Sequence, residues 1–136
     1  MDFKVLQAPD KPDVAVLSMA GDLDATSYLQ AIAQAERAYK GGARTLLLDL
    51  SDTDFVSSSG LVAIHSIALL MQGRKPPDPE AGWATIRSIG EGQGVDARRC
   101  LKLVNPQPRV AATLSKVGFS DAFEVYPTIE AALAAL

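Results

Sequence analysis

Cysteine and histidine are nearly missing from this chain: its 136 residues hold one of each, Cys100 and His65. A lone cysteine permits no internal disulfide, and together the two cannot supply a cysteine/histidine zinc site. Basic excess is lacking as well. The formal net charge is −3, so nothing in the charge balance points to nucleic acid as a partner. No apolar run approaches the roughly 20 residues of a membrane span, and none is expected. The opening residues Met1-Asp2-Phe3-Lys4 lack the apolar core of a signal peptide. A reducing cytoplasm is the expected compartment.

What is present is an ordinary globular balance, with 48% hydrophobic and 21% charged residues, in a length natural for one domain with one core. The stretch from Thr45 to Gly73 organises it. Leu46-Leu47-Leu48, closed by Asp49-Leu50, is apolar on both alternating faces and predicts a strand buried on both sides. A polar turn from Ser51 to Asp54 and the pair Phe55-Val56 follow. Then Ser57-Ser58-Ser59-Gly60 opens a helical pattern with Leu61, Ile64, Ala68 and Met71 on one side, widened by Val62 and Leu69. Serine is a good N-cap, and the free N–H groups of a first turn favour an anion. A hydroxyl here can cap the helix or carry a phosphate.

Before this stretch, Phe3 to Leu6 predicts a short edge strand, and Pro9 to Pro12 a turn. Val14 to Ala20 predicts a strand that Gly21 ends. Asp24, Thr26 and Ser27 are candidate caps for a helix to about Lys40, with Tyr28, Leu29, Ile32, Ala35 and Tyr39 on its apolar side. Gly41-Gly42 stops it. Strand, helix, strand with short links predicts an α/β sheet with parallel neighbours. Beyond Gly73, an insertion at about 74–99 carries an expected short helix from Asp78 to Ile89, packed by Trp83, and a flexible glycine-rich loop from Gly90 to Gly94. Leu101 to Val104 predicts the next buried strand. Pro106 to Val117 predicts a helix with Val110, Leu114 and Val117 inward, stopped at Gly118. A turn and short strand lie within Phe119 to Val125, and Thr128 caps a last helix, Ile129 to Leu136.

Catalysis is not expected. A serine nucleophile needs a base within hydrogen-bond reach, yet His65 lies seven residues beyond Ser58, about 10.5 Å of rise along one helix. His65 is expected at a helix surface or core edge, and Cys100 as a small core residue. The glycine run at Gly90 lacks the context of a dinucleotide loop.

The segment Ser57-Ser58-Ser59-Gly60-Leu61 resembles the signature of STAS domains, the fold of bacterial anti-sigma-factor antagonists: aspartate-serine-serine/threonine-glycine-leucine after the central strand. Gly21-Asp22-Leu23-Asp24 is similar to the family's Gly-x-Leu-Asp turn. Leu101 to Asn105, with Val110, Leu114 and Gly118, matches its C-terminal half. Ser57 stands where the family carries an acid. The resemblance implies a single α/β domain over residues 1–136, with a central mixed sheet of four to five strands, helices packed on it and a family-atypical insertion at 74–99. It implies a regulatory binding module, not an enzyme, with no cofactor of its own. Its partner would be an anti-sigma factor with serine kinase activity, which supplies ATP. Phosphorylation at Ser58, with Ser59 and Ser57 as fallbacks, would break the complex, and a serine phosphatase would restore it. Asp22, Asp24 and Asp54, with Ser57, Ser58, Ser59 and Gly60, are the candidate partner-binding residues, although those acids equally suit capping and turns. A partner docking there would be repelled by the phosphate, an acidic one most of all. The alternative is a non-phosphorylated STAS interaction or scaffold domain in a signalling assembly.

Overall fold

In the computed structural model, residues 1–8, 10–73, 100–119 and 123–136 are described. The expected helix at Asp78 to Ile89, Trp83, the glycine loop and the rest of the 74–99 insertion lie outside the described residues.

The Leu46-Leu47-Leu48 run forms strand β3 (Thr45–Asp49) at the centre of the sheet. All three leucines are fully buried, because the sheet is covered on both faces. On one side of β3 lies β2 (Val14–Leu23), then the antiparallel edge strand β1 (Asp2–Gln7). On the other lie β5 (Leu101–Val104) and β6 (Glu124–Tyr126). Pairings β2–β3, β3–β5 and β5–β6 are parallel, so the sheet is mixed through β1 alone among these pairs. The fold is α/β, with six strands and four helices among the described residues.

Helices α1 (Tyr28–Lys40), α2 (Ser58–Met71) and α3 (Pro108–Lys116) cover one face. There Ala31, Ala35, Ile64, Ile67, Val110 and Leu114 join Leu17, Leu46, Leu48, Leu101 and Leu103 in the larger core. The short α4 (Ile129–Ala134) covers the other face, where Ala132 meets Val14, Val16, Leu47 and Val104. Thr128 caps it by accepting from Ala131 N at 3.0 Å, as expected. On that same face Lys102 is buried, and its ammonium lies 2.8 Å from Glu124 Oε2. Tyr126 also donates to Glu124, whose charge pushes the phenol's pKa up, first through that hydrogen bond and then with burial.

Several expectations change. Gly21 does not end β2. Its φ of +112° bends the strand, and Gly21 N donates to Asp52 O at 3.0 Å. Past this bend β2 exchanges partners and pairs with an additional strand, β4 (Thr53–Val56), in the register Asp22↔Phe55 and Leu23↔Val56. A polar turn was expected across Ser51 to Asp54. Instead Thr53 points inward and donates its hydroxyl to Met19 O at 2.7 Å, which satisfies a buried group at the bend. On α1, Ala31 and Ala35 are buried but Leu29 is 57% exposed, about 140° round the helix from the inward stripe. No side chain caps α1. The third helix starts at Pro108, with proline in its first turn, and Gly118 stops it at φ +81°.

Helix α2 departs most from a one-sided stripe. From Gly60 to Ala68 it is buried throughout, His65 and Ser66 included. Its start is set against the bend in β2 and β4, and Gly60 permits that approach. A Cβ there would stand 2.4 Å from Leu23 O and 2.8 Å from Val56 Cγ1. Alanine would add up to about 1 kcal/mol of helix propensity. The clash is with backbone, so it outweighs that gain, at about 1–3 kcal/mol or more. Gly60→Ala is therefore expected to lower stability on balance, measured as a reduced denaturation midpoint in urea. A midpoint equal to or above wild type would mean that α2 can shift off the strand without loss.

Candidate functional site

The C-terminal ends of β2 and β4 and the start of α2 form one rim of the molecule. The three serines divide the work there. Ser57 is the N-cap, with extended backbone (φ −84°, ψ −179°), and its hydroxyl accepts from Gly60 N at 3.2 Å. Its own N–H donates to Leu23 O at 2.9 Å, and its carbonyl accepts from Leu61 N at 2.9 Å. Ser57 thus supplies the oxygen acceptor that caps the helix. Ser58 is the first residue of α2 and is exposed, while Ser59 is half-buried. The Ser58 hydroxyl makes no hydrogen bond among the described residues, so the cap is Ser57 alone.

Asp22, Asp24 and Asp54 all lie along this rim, and of the three only Asp24 has a side chain that forms a turn. Asp24 Oδ1 accepts from Thr26 N at 2.9 Å and from Thr26 Oγ1 at 2.6 Å. Those bonds, the hydroxyl's first, hold the Asp24 carboxyl below its ordinary value of 3.8. Ser27, read as a possible helix cap, is buried and stitches the turn instead. It donates to Asp22 O at 2.9 Å and accepts from Asp24 N at 3.1 Å. Asp22 is exposed beside Phe55. Asp54 is exposed and accepts from Gln107 Nε2 at 3.4 Å, which also donates to Ser51 O at 3.0 Å.

A second set of residues supports the rim from the end of β3 and the start of α3. Asp49 forms the turn after β3: its Oδ1 accepts from Ser51 N at 3.0 Å and its Oδ2 from Ser18 Oγ at 3.2 Å. Asn105, at φ +47°, donates to Ser51 Oγ at 3.2 Å. Arg109 sets its guanidinium over the Phe55 ring, 5.9 Å from the centroid. Gln107, Arg109 and the exposed Phe55 escaped the sequence reading. Their contacts span more than 50 residues, and the available signals were faint: an asparagine suited to left-handed backbone before Pro106, and an apolar residue between two polar stretches.

His65 is buried in the middle of α2, away from the exposed Ser58. Among the described residues no three His, Cys, Asp or Glu side chains converge to hold a metal ion. No helix among them is long and apolar enough to cross a membrane.

The STAS domain family model matches residues 5–74, which include β2, β3, the rim and the whole of α2. The chain belongs to the STAS domain family. No curated protein matches its sequence. Among solved structures, this STAS domain resembles the anti-sigma factor antagonist SpoIIAA in its unphosphorylated form, with a TM-score of 0.63 at 18% identity over 98% of this chain and 95% of that one. The Bacillus cell fate determinant SpoIIAA in its phosphorylated form gives 0.61 at 18% identity, over 98% of each chain. An anti-sigma factor antagonist from Mycobacterium paratuberculosis gives 0.64 at 20% identity, over 98% and 93%. At these identities the likeness is one of fold.

The division of labour among the serines has a direct measurement. Ser57→Ala should cost about 0.5–2 kcal/mol of stability through the lost cap, while Ser58→Ala should stay within about 0.5 kcal/mol, as exposed substitutions do. Chemical denaturation of both variants decides it. Equal losses would show that the cap is shared.

The Asp24 turn should show itself in acid. Because its folded pKa is depressed, Asp24 adds stability above the unfolded value, and this is lost as pH falls through the folded pKa. By nuclear magnetic resonance titration, the Asp24 carboxyl should titrate below 3.8. In Thr26→Val it should move up towards that value, with the backbone donor retained. An unchanged midpoint would place the cause elsewhere.

Proposed function

We propose that this STAS domain is a regulatory binding module of the anti-sigma-factor antagonist type, switched by phosphorylation of Ser58. Its partner on this reading is an anti-sigma factor with serine kinase activity. The observation that carries the reading is the position of Ser58: exposed, first in α2, and relieved of capping by Ser57. Its hydroxyl is open to a kinase, and its removal or modification leaves the helix start intact. Solved structures of the similar-fold SpoIIAA in unphosphorylated and phosphorylated forms support the same reading.

The physical logic follows from the helix start. A phosphate carries about −1.5 to −2 charge. At a helix N-terminus that charge is stabilised by about 0.3–1 kcal/mol, up to about 2 when partly buried, so the fold tolerates it. A partner closing over the rim must dehydrate the dianion and make room for its three oxygens. The modification therefore acts at the interface and not on the fold. Asp22, Asp24, Asp54 and the residues from Ser57 to Gly60 would form the docking rim, with a serine phosphatase to reset it.

The test is incubation with the serine-kinase anti-sigma factor and ATP, followed by peptide mass spectrometry and titration calorimetry. One phosphate should map to Ser58. Ser58→Asp should weaken binding tenfold or more, equivalent to about 1.4 kcal/mol, with stability changed by no more than about 1 kcal/mol. Ser58→Ala should bind as wild type and ignore the kinase. Binding with no phosphate at Ser57, Ser58 or Ser59 under an active kinase would assign the chain to non-phosphorylated STAS scaffolds.

A further inference from the structure

Phe55 is an exposed aromatic in a strand whose other apolar residue, Val56, is buried, and 40% of its surface is open. Nothing in the core requires a ring there. Its surroundings are ordered nonetheless. Asp22 is its cross-strand neighbour on the same face of the β2–β4 pair. Arg109 sets its guanidinium 5.9 Å from the ring centroid, at the outer reach of a cation–π contact. Gln107 fixes the backbone beside it by donating to Ser51 O at 3.0 Å. An aromatic paired with an arginine and open to solvent is the residue chemistry enriched at the energetic centres of protein interfaces.

We propose that Phe55 is the apolar anchor of the docking rim, and that its occupant is a protein surface presenting an apolar pocket flanked by basic side chains. The inference rests on the reading of this rim as the partner site. Charge complementarity selects the occupant. Asp22 and Asp54, the acids nearest Phe55 in the strands, are both exposed. Arg109, also exposed, carries the one opposing charge, so two acids against one base leave the patch net acidic. An acidic surface would meet two like charges here, and a basic one meets its complement. Phosphate on Ser58 then opposes binding through the bulk and dehydration of its three oxygens beside an apolar contact, which must outweigh its attraction to the basic side chains.

The experiment is titration calorimetry of the unphosphorylated full chain against the serine-kinase anti-sigma factor, at about 0.05 and 0.5 M NaCl. Phe55→Ala should weaken binding at least tenfold while remaining fully folded at the titration temperature, as its melting curve shows, and Phe55→Leu should restore most of the affinity. Leu6→Ala, a still more exposed apolar truncation on the far edge strand, should bind as wild type. Affinity should fall in high salt, and Asp22→Lys should both weaken binding and reduce that salt dependence. A wild-type complex unaffected by Phe55→Ala overturns the anchor and leaves the phosphoswitch standing. Binding that strengthens with salt, or an equal loss in Leu6→Ala, overturns it too. If wild type binds no such kinase, the site reading falls and the anchor falls with it.

Discussion

The approach of α2 to the carbonyl of Leu23 is the constraint on which the rim depends. Only a residue without Cβ fits at Gly60, because the missing atom would lie 2.4 Å from that oxygen. The same carbonyl accepts from Ser57 N at 2.9 Å. One backbone oxygen thus fixes both the position and the direction in which the helix leaves the strand. Leu23 can occupy that place because β2 runs on past Gly21 and takes β4 as a new partner. Thr53, bonded to Met19 O, holds the exchange point closed. The exposed hydroxyl of Ser58 is therefore carried by the most buried helix among the described residues.

The polar groups around it follow the same economy. Buried or half-buried acceptors are satisfied locally: Asp24 by Thr26, Asp49 by Ser51 and Ser18. What stays open to a partner is a short list of exposed groups, Ser58, Asp22, Asp54 and Phe55. A site built this way changes its surface chemistry on modification without changing its support, which suits a switch read at an interface.

Much of this was legible in the residues. The buried central strand, the order of strands and helices, the serine cluster opening a helix, Thr128 as a cap and Gly118 as a stop all follow from local rules: apolar runs, cap chemistry and glycine's access to positive φ. Those rules act within a few residues, so one chain states them without help. The tertiary structure alone decided which serine caps and which is free, because that choice depends on how α2 meets Leu23. It decided the existence of β4, whose burial pattern follows neither a strand nor a helix period and whose pairing partner lies some thirty residues away. It decided that α2 is buried on every side, His65 included, since burial depends on what packs around a helix and not on its own stripe. It also set Arg109 on Phe55 across more than fifty residues, a contact that no local pattern encodes, because only the packing of α3 beside β4 brings the two together.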